Sequence, residues 1–268
     1  MTDRIYDNTR KYRPSFKCLF VIADLNGCLS NLEVILNRIT PLRKMKNQED
    51  MIIFLGNYIG NNSQSPNVID ILINLKSQYG DRVICLRGKN EQKLIDALNG
   101  SQDDYYSWLK IEGAQIINPY LISREIKQSP YAIAQERFKN IIGEDHINFL
   151  NSLPFYQVLD NYCFFNGSFD PKKRLEDNLN LNFVFDSTGA SYVKNCVKLK
   201  INPVFIEDYI FIGVENPRGK NPYIHSKYFM LGSNDPNRTF LLELNSMLIS
   251  CVKRGKSRLY KHNFKYYD

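Results

Sequence analysis

The segments CLFVIADLNG (residues 18–27), MIIFLGNYIGNN (51–62) and RVICLRGKNE (82–91) share one plan, in which an apolar run of strand length ends in a polar loop that contains glycine. Each is followed by apolar residues at helical spacing. Three strand–helix pairs in succession predict parallel strands joined by crossover helices. Because ligands bind beyond the carboxyl ends of such strands, the three loops together are the predicted site.

The rest of the chain favours a second sheet. Strand character resumes after residue 150, with PFYQVL (154–159) and YCFF (162–165). The C-terminal third has four short apolar segments that lie close together, as an antiparallel sheet requires: DYIFIG (208–213), KYFMLG (227–232), TFLLEL (239–244) and MLISCV (247–252). The pattern predicts an α/β fold (an α+β four-layer sandwich) in which two mixed β-sheets pack face to face, with helices on both outer faces.

Domain organisation is expected to be simple, because neither a linker nor an internal repeat interrupts the chain. We expect one domain at residues 17–250, between an N-terminal extension (1–16) and a basic C-terminal tail (251–268). With 43% hydrophobic and 24% charged residues, the 268-residue chain is typical of globular proteins. It has neither an apolar run of about 18 residues nor a signal-like N-terminus, so a cytoplasmic protein is expected. Six cysteines without a CxxC pair fit a reduced compartment.

The net charge of +7 is concentrated near the chain ends. The predicted tail carries six cations interleaved with aromatic residues: Lys253, Arg254, Lys256, Arg258, Lys261 and Lys265. Two interpretations stay open at this point. The tail is either a solvated segment or a surface that contacts RNA, an anionic membrane or an acidic partner.

The three loops resemble a known set of motifs. ADLNG (23–27), GNYIGNN (56–62) and RGKNE (87–91) are similar, in order and spacing, to GDxHG, GDxxDRG and RGNHE of the bacterial-type serine/threonine phosphatases. These belong to the phosphoprotein phosphatase branch of the calcineurin-like metallophosphoesterase superfamily. YCFFNGSFDP (162–171) and FIGVENP (211–217) resemble its later motifs FVHAGxxP and VxGHTP. The resemblance covers most of residues 17–250 and implies a metallophosphoesterase-like fold.

The departures from those motifs imply a degenerate site, a pseudophosphatase. The family holds two metal ions, and of its ligands Asp24 alone keeps its identity. By the resemblance, Asn26, Asn166 and Val214 replace ligand histidines, Asn57 replaces the bridging aspartate, and Lys89 replaces an asparagine ligand. Asn90, Gly60 and Asn61 replace the general-acid histidine, its aspartate partner and a phosphate-binding arginine.

Histidine content supports the same conclusion without the resemblance. The family chemistry uses four histidines, whereas this chain has only His146, His225 and His262, expected on a helix, in a loop and in the tail. A rebuilt site would have to draw on carboxylates, and the acidic candidates are Asp24, Asp70, Glu91, Glu215 and Asp235.

The residual cleft is expected to hold Asp24, Arg87, Lys89 and Glu91, a set that suits an anion better than metal ions. Lys89 is expected either to pair with Asp24 in place of a lost ion or, like Asp24, to face water.

Together these features predict a protein without catalytic residues, metal or cofactor that acts as a scaffold or regulatory subunit. A protein complex is the favoured partner, no membrane span is expected, and the basic tail leaves nucleic acid open. One alternative is a residual or rebuilt metallophosphoesterase acting on phosphoprotein or nucleotide phosphoesters. The other is a binder of anions, nucleotides or RNA through the old cleft and the tail.

Overall fold

Three parallel strands and their crossover helices form the N-terminal part of the protein. The computed structural model describes residues 18–43, 50–167, 169–178, 188–214, 221–225 and 227–260. The strands are β1 (Cys18–Ile22), β2 (Asp50–Phe54) and β3 (Val83–Cys85), and the helices that follow them are α1 (Leu29–Arg43), α2 (Ser65–Tyr79) and α3 (Lys89–Asn99). Every residue of β1 and β2 is buried, as expected for parallel strands covered on both faces.

The first sheet continues with antiparallel strands from the end of the chain. These are β9 (Arg238–Glu243), β10 (Leu248–Lys253) and β11 (Lys256–Tyr260), and the strand order is β11-β10-β9-β1-β2-β3. At the centre, Val21 of β1 lies opposite Ile53 of β2 on one side and Leu242 of β9 on the other. The sheet is therefore mixed.

The second sheet has the order β4-β5-β6-β8-β7. Its strands are β4 (Tyr156–Leu159), β5 (Tyr162–Phe165), β6 (Ile210–Gly213), β7 (Tyr223–His225) and β8 (Tyr228–Met230). The prediction of one antiparallel group of C-terminal strands is wrong. β7 reverses the chain direction before β8, so β6 and β8 run parallel, whereas β9 and β10 join the first sheet. His225 ends β7 and is not in a loop.

Helices cover both outer faces. The further helices are α4 (Gln102–Trp108), α5 (Ala114–Ser123), α6 (Gln135–Ile142), α7 (Glu144–Ser152), α8 (Leu175–Asn178) and α9 (Thr188–Lys198), with a π-helical turn at Leu109–Gly113. Alternate residues of β1 serve different cores: Phe20 packs with α1–α7, whereas Leu19 and Val21 pack between the sheets against Phe164 and Ile212. The predicted fold, two mixed sheets face to face with helices outside, is confirmed.

Residues 251–260 are part of the first sheet and not a tail. The predicted boundary at residue 250 falls inside β10, and β11 pairs with β10 along its whole length. The sequence did not predict β11 because basic residues interrupt the apolar pattern of this hairpin. Of its apolar residues Val252 and Leu259, only Val252 is buried. The N-terminal extension and Lys261, His262 and Lys265 lie outside the described residues. Within the described residues, no helix is long and apolar enough to cross a membrane.

A buried carboxamide ties α1 to the C-terminal hairpin. Asn31 is fully buried, and its Nδ2 donates to the backbone oxygen of Asn237 at 3.0 Å and to Thr239 Oγ1 at 3.2 Å. Its Oδ1 accepts from the Gly255 backbone N–H at 3.1 Å. One side chain thereby joins the first helix to β9 and to the β10–β11 turn.

Asn31→Ala should lower the free energy of unfolding by about 2–4 kcal/mol, because it leaves buried backbone groups without partners. Urea denaturation monitored by circular dichroism measures the change. Asn37→Ala, at an exposed position of the same helix, is the matched control and should change stability by less than about 0.5 kcal/mol. Equal effects of the two substitutions would contradict this role.

Candidate functional site

The loops that follow β1 and β2 are joined through their backbones. The N–H groups of Leu25 and Asn26 both donate to the backbone oxygen of Asn57, at 3.2 and 2.7 Å, and the Gly27 N–H donates to the Tyr58 oxygen at 2.7 Å. Asn26 and Asn57 have φ angles of +48° and +54°, the left-handed region that asparagine tolerates better than most residues. The asparagines at these positions therefore have a backbone role as well as a place in the cleft.

The loops after β2 and β3 approach so closely that one position admits only glycine. A Cβ atom on Gly88 would lie 2.1 Å from the Asn57 backbone nitrogen and 2.4 Å from Glu91 Oε2. Any side chain there would separate the two loops. The close approach places the first turn of α3 directly against residues 57–59.

Glu91 uses that approach to hold both loops. Its Oε2 accepts from the N–H groups of Asn57 and Gly88 at 2.8 and 2.9 Å, and its Oε1 accepts from those of Tyr58 and Ile59 at 2.8 and 3.1 Å. The side chain is fully buried, and desolvation raises the pKa of its carboxyl, against the opposing effect of the four donors. Glu91 is thus a structural centre of the loops and does not face an anion in the cleft.

The carboxamide of Asn57 has a fixed orientation. Its Oδ1 faces the backbone N–H of Asn90 at 3.1 Å, and a backbone N–H can only donate, so the atom on that side must be the oxygen. The amide nitrogen consequently faces Asp24 and donates to its Oδ1 at 2.8 Å. Asn57 therefore presents hydrogens, not a lone pair, to the carboxylate of Asp24.

Asn90 and Asn166 are held in the same manner. Asn90 Nδ2 donates to the Ile59 oxygen at 2.8 Å. Asn166 is buried, its Oδ1 accepts from the Lys89 N–H at 3.1 Å, and its Nδ2 donates to the Leu55 oxygen at 2.7 Å. Both of its carboxamide atoms are committed to backbone partners. These two asparagines and Asn57 form what we call the amide network.

Neither of the two cations expected in the cleft, Lys89 and Arg87, pairs with Asp24. Lys89 is exposed, and among the described residues no ion pair joins it to Asp24, so the expected pairing is wrong and the exposed alternative holds for Lys89. The Arg87 guanidinium lies 4.7 Å from the centre of the Phe155 ring and donates to Gln92 Oε1 at 2.9 Å and to the Asn151 oxygen at 2.7 Å. Burial lowers the pKa of Arg87. Its role is to join α3 to the end of α7.

Of the remaining predicted positions, Asn61 is exposed, whereas Gly60 and Val214 are buried. Asn61 is exposed and borders a groove of about 370 Å³ against α5, together with Asn118 and Ile122. Gly60 packs on the Asn26 backbone, which a Cβ atom would meet at 3.0 Å. Val214 is buried, and its N–H donates to the Asn166 oxygen at 3.1 Å. Each of these positions thus packs against the loops or borders the groove.

Sequence reasoning missed three polar residues that brace the loops. Asn62 Nδ2 donates to the Asn26 oxygen at 2.7 Å, and Ser65 Oγ lies between the N–H and the oxygen of Gly60 at 3.2 and 3.3 Å. Thr239 Oγ1 donates to the Asp24 oxygen at 2.9 Å. Ser65 could have been found as a small polar residue at a helix start, but the partners of the other two come only from the fold.

Of the other acidic and histidine candidates, Asp70, Asp235 and His146 have partners outside the three loops. His146, on α7 as predicted, has Nε2 at 2.9 Å from Asp70 Oδ1 and Nδ1 at 3.2 Å from the Tyr120 hydroxyl. Asp235 pairs with Lys253. Glu215 lies outside the described residues. None of the six cysteines forms a disulfide, and burial raises the pKa of Cys85 to about 12, which makes that thiol unreactive.

Among the described residues, the side chains of the cleft do not form a ligand set for two divalent ions. Such ions need anionic oxygens or imidazoles, whereas Asn57 directs an N–H₂ group at Asp24 and both polar atoms of Asn166 already have partners. Among the described residues, no group of three or more histidine, cysteine, aspartate or glutamate side chains could hold a metal ion.

Comparison with known proteins gives one family and several solved structures. A family model described as calcineurin-like phosphoesterase matches residues 19–212. A candidate diadenosine tetraphosphatase is 13% identical, with 90% of this chain and 96% of that one covered, at a TM-score of 0.58. A cold-active protein-tyrosine phosphatase from a psychrophilic Shewanella species is 15% identical, with 92% of this chain and 81% of that one covered, at a TM-score of 0.54. A serine/threonine phosphatase from Saccharomyces cerevisiae is 14% identical, with 85% of this chain and 73% of that one covered, at a TM-score of 0.50. At such identities the likeness concerns the fold.

Asn57→Asp should destabilise the protein in a pH-dependent manner, because a donor at 2.8 Å from Asp24 becomes a like charge. The pair's folded pKa rises above the unfolded value of about 4. The loss of stability is therefore small below that value and grows as pH rises through the folded pKa. We expect the variant's free energy of unfolding to be lower than that of the wild type by about 1 kcal/mol at pH ~5 and by about 3 kcal/mol at pH ~8. Urea denaturation at the two pH values measures the difference.

Asn61→Asp is the control, since it adds the same charge at an exposed position and should have little effect at either pH. Manganese at about 1 mM should raise the melting temperature of Asn57→Asp but not that of the wild-type protein. An equal rise in the wild type would show that the amide network tolerates an ion.

Proposed function

Because the chain belongs to the calcineurin-like phosphoesterase family, we propose that it is a phosphatase-like protein without phosphatase activity, which binds a macromolecular partner as a scaffold or regulatory subunit. The observation that carries this proposal is the hydrogen bond from Asn57 Nδ2 to Asp24 Oδ1, held in that direction by the Asn90 N–H. This hydrogen bond joins the carboxylate of Asp24, the one ligand position that keeps the family's residue, to a neutral carboxamide.

The proposal is supported by what two-metal hydrolysis demands. The reaction needs ligands that offset the charge of two ions and leave a water polarised between them. Among the described residues, the cleft offers the carboxylate of Asp24, whose Oδ1 accepts from the neutral carboxamide of Asn57. Asparagine oxygens are weak ligands even when free, and the Asn166 oxygen is occupied by the Lys89 N–H.

The position expected to donate a proton to the leaving group holds a carboxamide. The residue at the expected general-acid position is Asn90, whose amide nitrogen donates to the Ile59 oxygen. A carboxamide does not titrate near neutral pH and cannot act as a general acid. The buried Glu91 carboxyl cannot replace it, because both of its oxygens accept from the backbone.

Anion binding in the old cleft has less support than partner binding. Arg87 would be the principal anion ligand, but its guanidinium is held by Gln92, the Asn151 oxygen and the Phe155 ring. Lys89 alone, as an exposed ammonium, is a weak basis for retaining a phosphate. A cleft whose polar side chains already bond to one another and to the backbone instead suits a protein that binds a partner through another part of its surface.

The purified protein is expected to hold less than about 0.1 equivalent of manganese, iron or zinc, because the amide network offers hydrogens where ions need lone pairs. Elemental analysis by mass spectrometry measures this. With excess manganese, aryl phosphates, phosphopeptides and dinucleoside polyphosphates should give no turnover above that of Asp24→Ala. Two tightly bound ions per chain, or turnover that Asp24→Ala abolishes, would reject the proposal in favour of a rebuilt phosphoesterase.

In native extract the protein is expected to migrate in an assembly larger than the 31.3 kDa chain, with a stoichiometric partner. Tagging at the native locus, followed by size-exclusion chromatography and mass spectrometry, measures the size and the stoichiometry. Migration as a free monomer, with only substoichiometric companions, would contradict the scaffold role while leaving the absence of catalysis intact.

A further inference from the structure

A row of cations crosses three strands at one end of the first sheet. Arg238 on β9 lies opposite Lys253 on β10, and Lys253 lies opposite Lys256 on β11. Adjacent strands are about 5 Å apart, so three positive charges share a span of about 10 Å on one face. Arg258 lies two residues further along β11 and therefore on the same face. We call these four residues the cationic ledge.

The ledge has more positive than negative charge. Asp235 lies 2.6 Å from Lys253 Nζ and 4.0 Å from Arg238 Nε, and the hydrogen bond from Lys253 holds the pKa of that carboxyl below its usual range. Lys256 and Arg258 are exposed, and neither forms an ion pair with a described residue. Like charges directly opposite one another weaken a sheet, so the free protein bears a cost that a bound anion would remove.

Among the described residues, β11 is also an edge strand of the first sheet. It pairs with β10 on one side, and no described residue pairs with its other side. Arg254 and Gly255 form a two-residue turn with φ angles of +49° and +71°. In such a hairpin the flanking residues Lys253 and Lys256 exchange both backbone hydrogen bonds, so the outward N–H and C=O groups of β11 belong to Ser257 and Leu259.

We propose that β11 and the cationic ledge bind an extended acidic segment of a partner protein, which adds as a strand to the open edge. Alternate carboxylates of the segment lie beside Lys256 and Arg258, and its backbone pairs with Ser257 and Leu259. Apolar residues between the carboxylates pack on the Leu259 side chain, which is 51% exposed. This inference rests on the proposed partner-binding role and specifies the chemistry of the partner.

Two other occupants fit less well. Single-stranded nucleic acid would contact the cations of the ledge through its phosphates, and such contacts need no open strand edge. Nucleic acid also cannot continue the backbone ladder of an edge strand. A second copy of this chain would bring the same cations to the same edge, and the two rows would repel each other.

The direct test is fluorescence anisotropy of the full-length protein with a labelled nine-residue peptide of alternating glutamate and valine. We expect saturable binding that weakens at least about tenfold when NaCl rises from about 50 to about 300 mM, because the contacts are between exposed charges. A peptide of alternating lysine and valine should not bind. Absence of saturable binding by the acidic peptide would overturn the proposal.

Two pairs of variants separate the charge from the edge. Lys256→Glu combined with Arg258→Glu should weaken binding at least about tenfold, whereas Lys110→Glu, an exposed charge reversal on the helical side, should not. Leu259→Pro removes an outward N–H that the sheet does not use, and Leu259→Ala keeps it. Proline should weaken binding well beyond alanine.

Equal binding by the proline and alanine variants would overturn the strand addition. If the proline variant does not fold by circular dichroism, the charge-reversal pair decides. A labelled twelve-nucleotide oligouridylate that binds more tightly than the peptide, and displaces it, would replace the proposal with nucleic-acid binding. The readout involves neither metal nor turnover, so failure here rejects the acidic strand alone. Turnover that depends on Asp24 would reject the inactive-phosphatase proposal alone.

Discussion

Four backbone N–H groups converge on the carboxylate of Glu91, and the shape of the cleft depends on that convergence. The donors come from residues 57, 58 and 59 of one loop and from Gly88 of the next. A carboxylate is the side chain that can accept all four with two atoms. Once the loops are held in this way, the Asn57 carboxamide lies between Asp24 and the start of α3, and its contacts follow from that position. The contacts within the cleft thus depend on a buried carboxyl group, Glu91, that does not itself face the cleft.

Much of the fold was predictable because the central strands are covered on both sides. Buried parallel strands read as continuous apolar runs, and β1, β2 and β5 are of this kind. β7 and β11 were missed for different reasons. β7 has only three residues, too few for a period, and β11 alternates basic side chains with one small and one apolar residue. The cytoplasmic location inferred from composition has no structural counterpart and stays a prediction.

The candidate site was predictable as a place but not as a set of contacts. The rule that ligands bind beyond strand ends located the three loops, and the resemblance identified the positions that matter. Side-chain directions could not be read from the sequence, because they depend on partners far along the chain. Asn166 binds Leu55, 111 residues away, and Lys89, 77 residues away. The same limit explains why Lys89 was expected near Asp24 and why the bracing role of Arg87 was not foreseen.

The fixed orientation of the amide network also limits which substitutions the cleft can accept one at a time. Each carboxamide of the network is hydrogen-bonded to a specific backbone group, so the three asparagines are coupled. Exchanging one of them for an acidic or imidazole side chain breaks contacts that the others depend on. A single exchange of this kind therefore lowers stability and supplies at most one further ligand, as Asn57→Asp would, which is fewer than two metal ions require. Binding of two ions in this cleft would therefore require several coupled substitutions together.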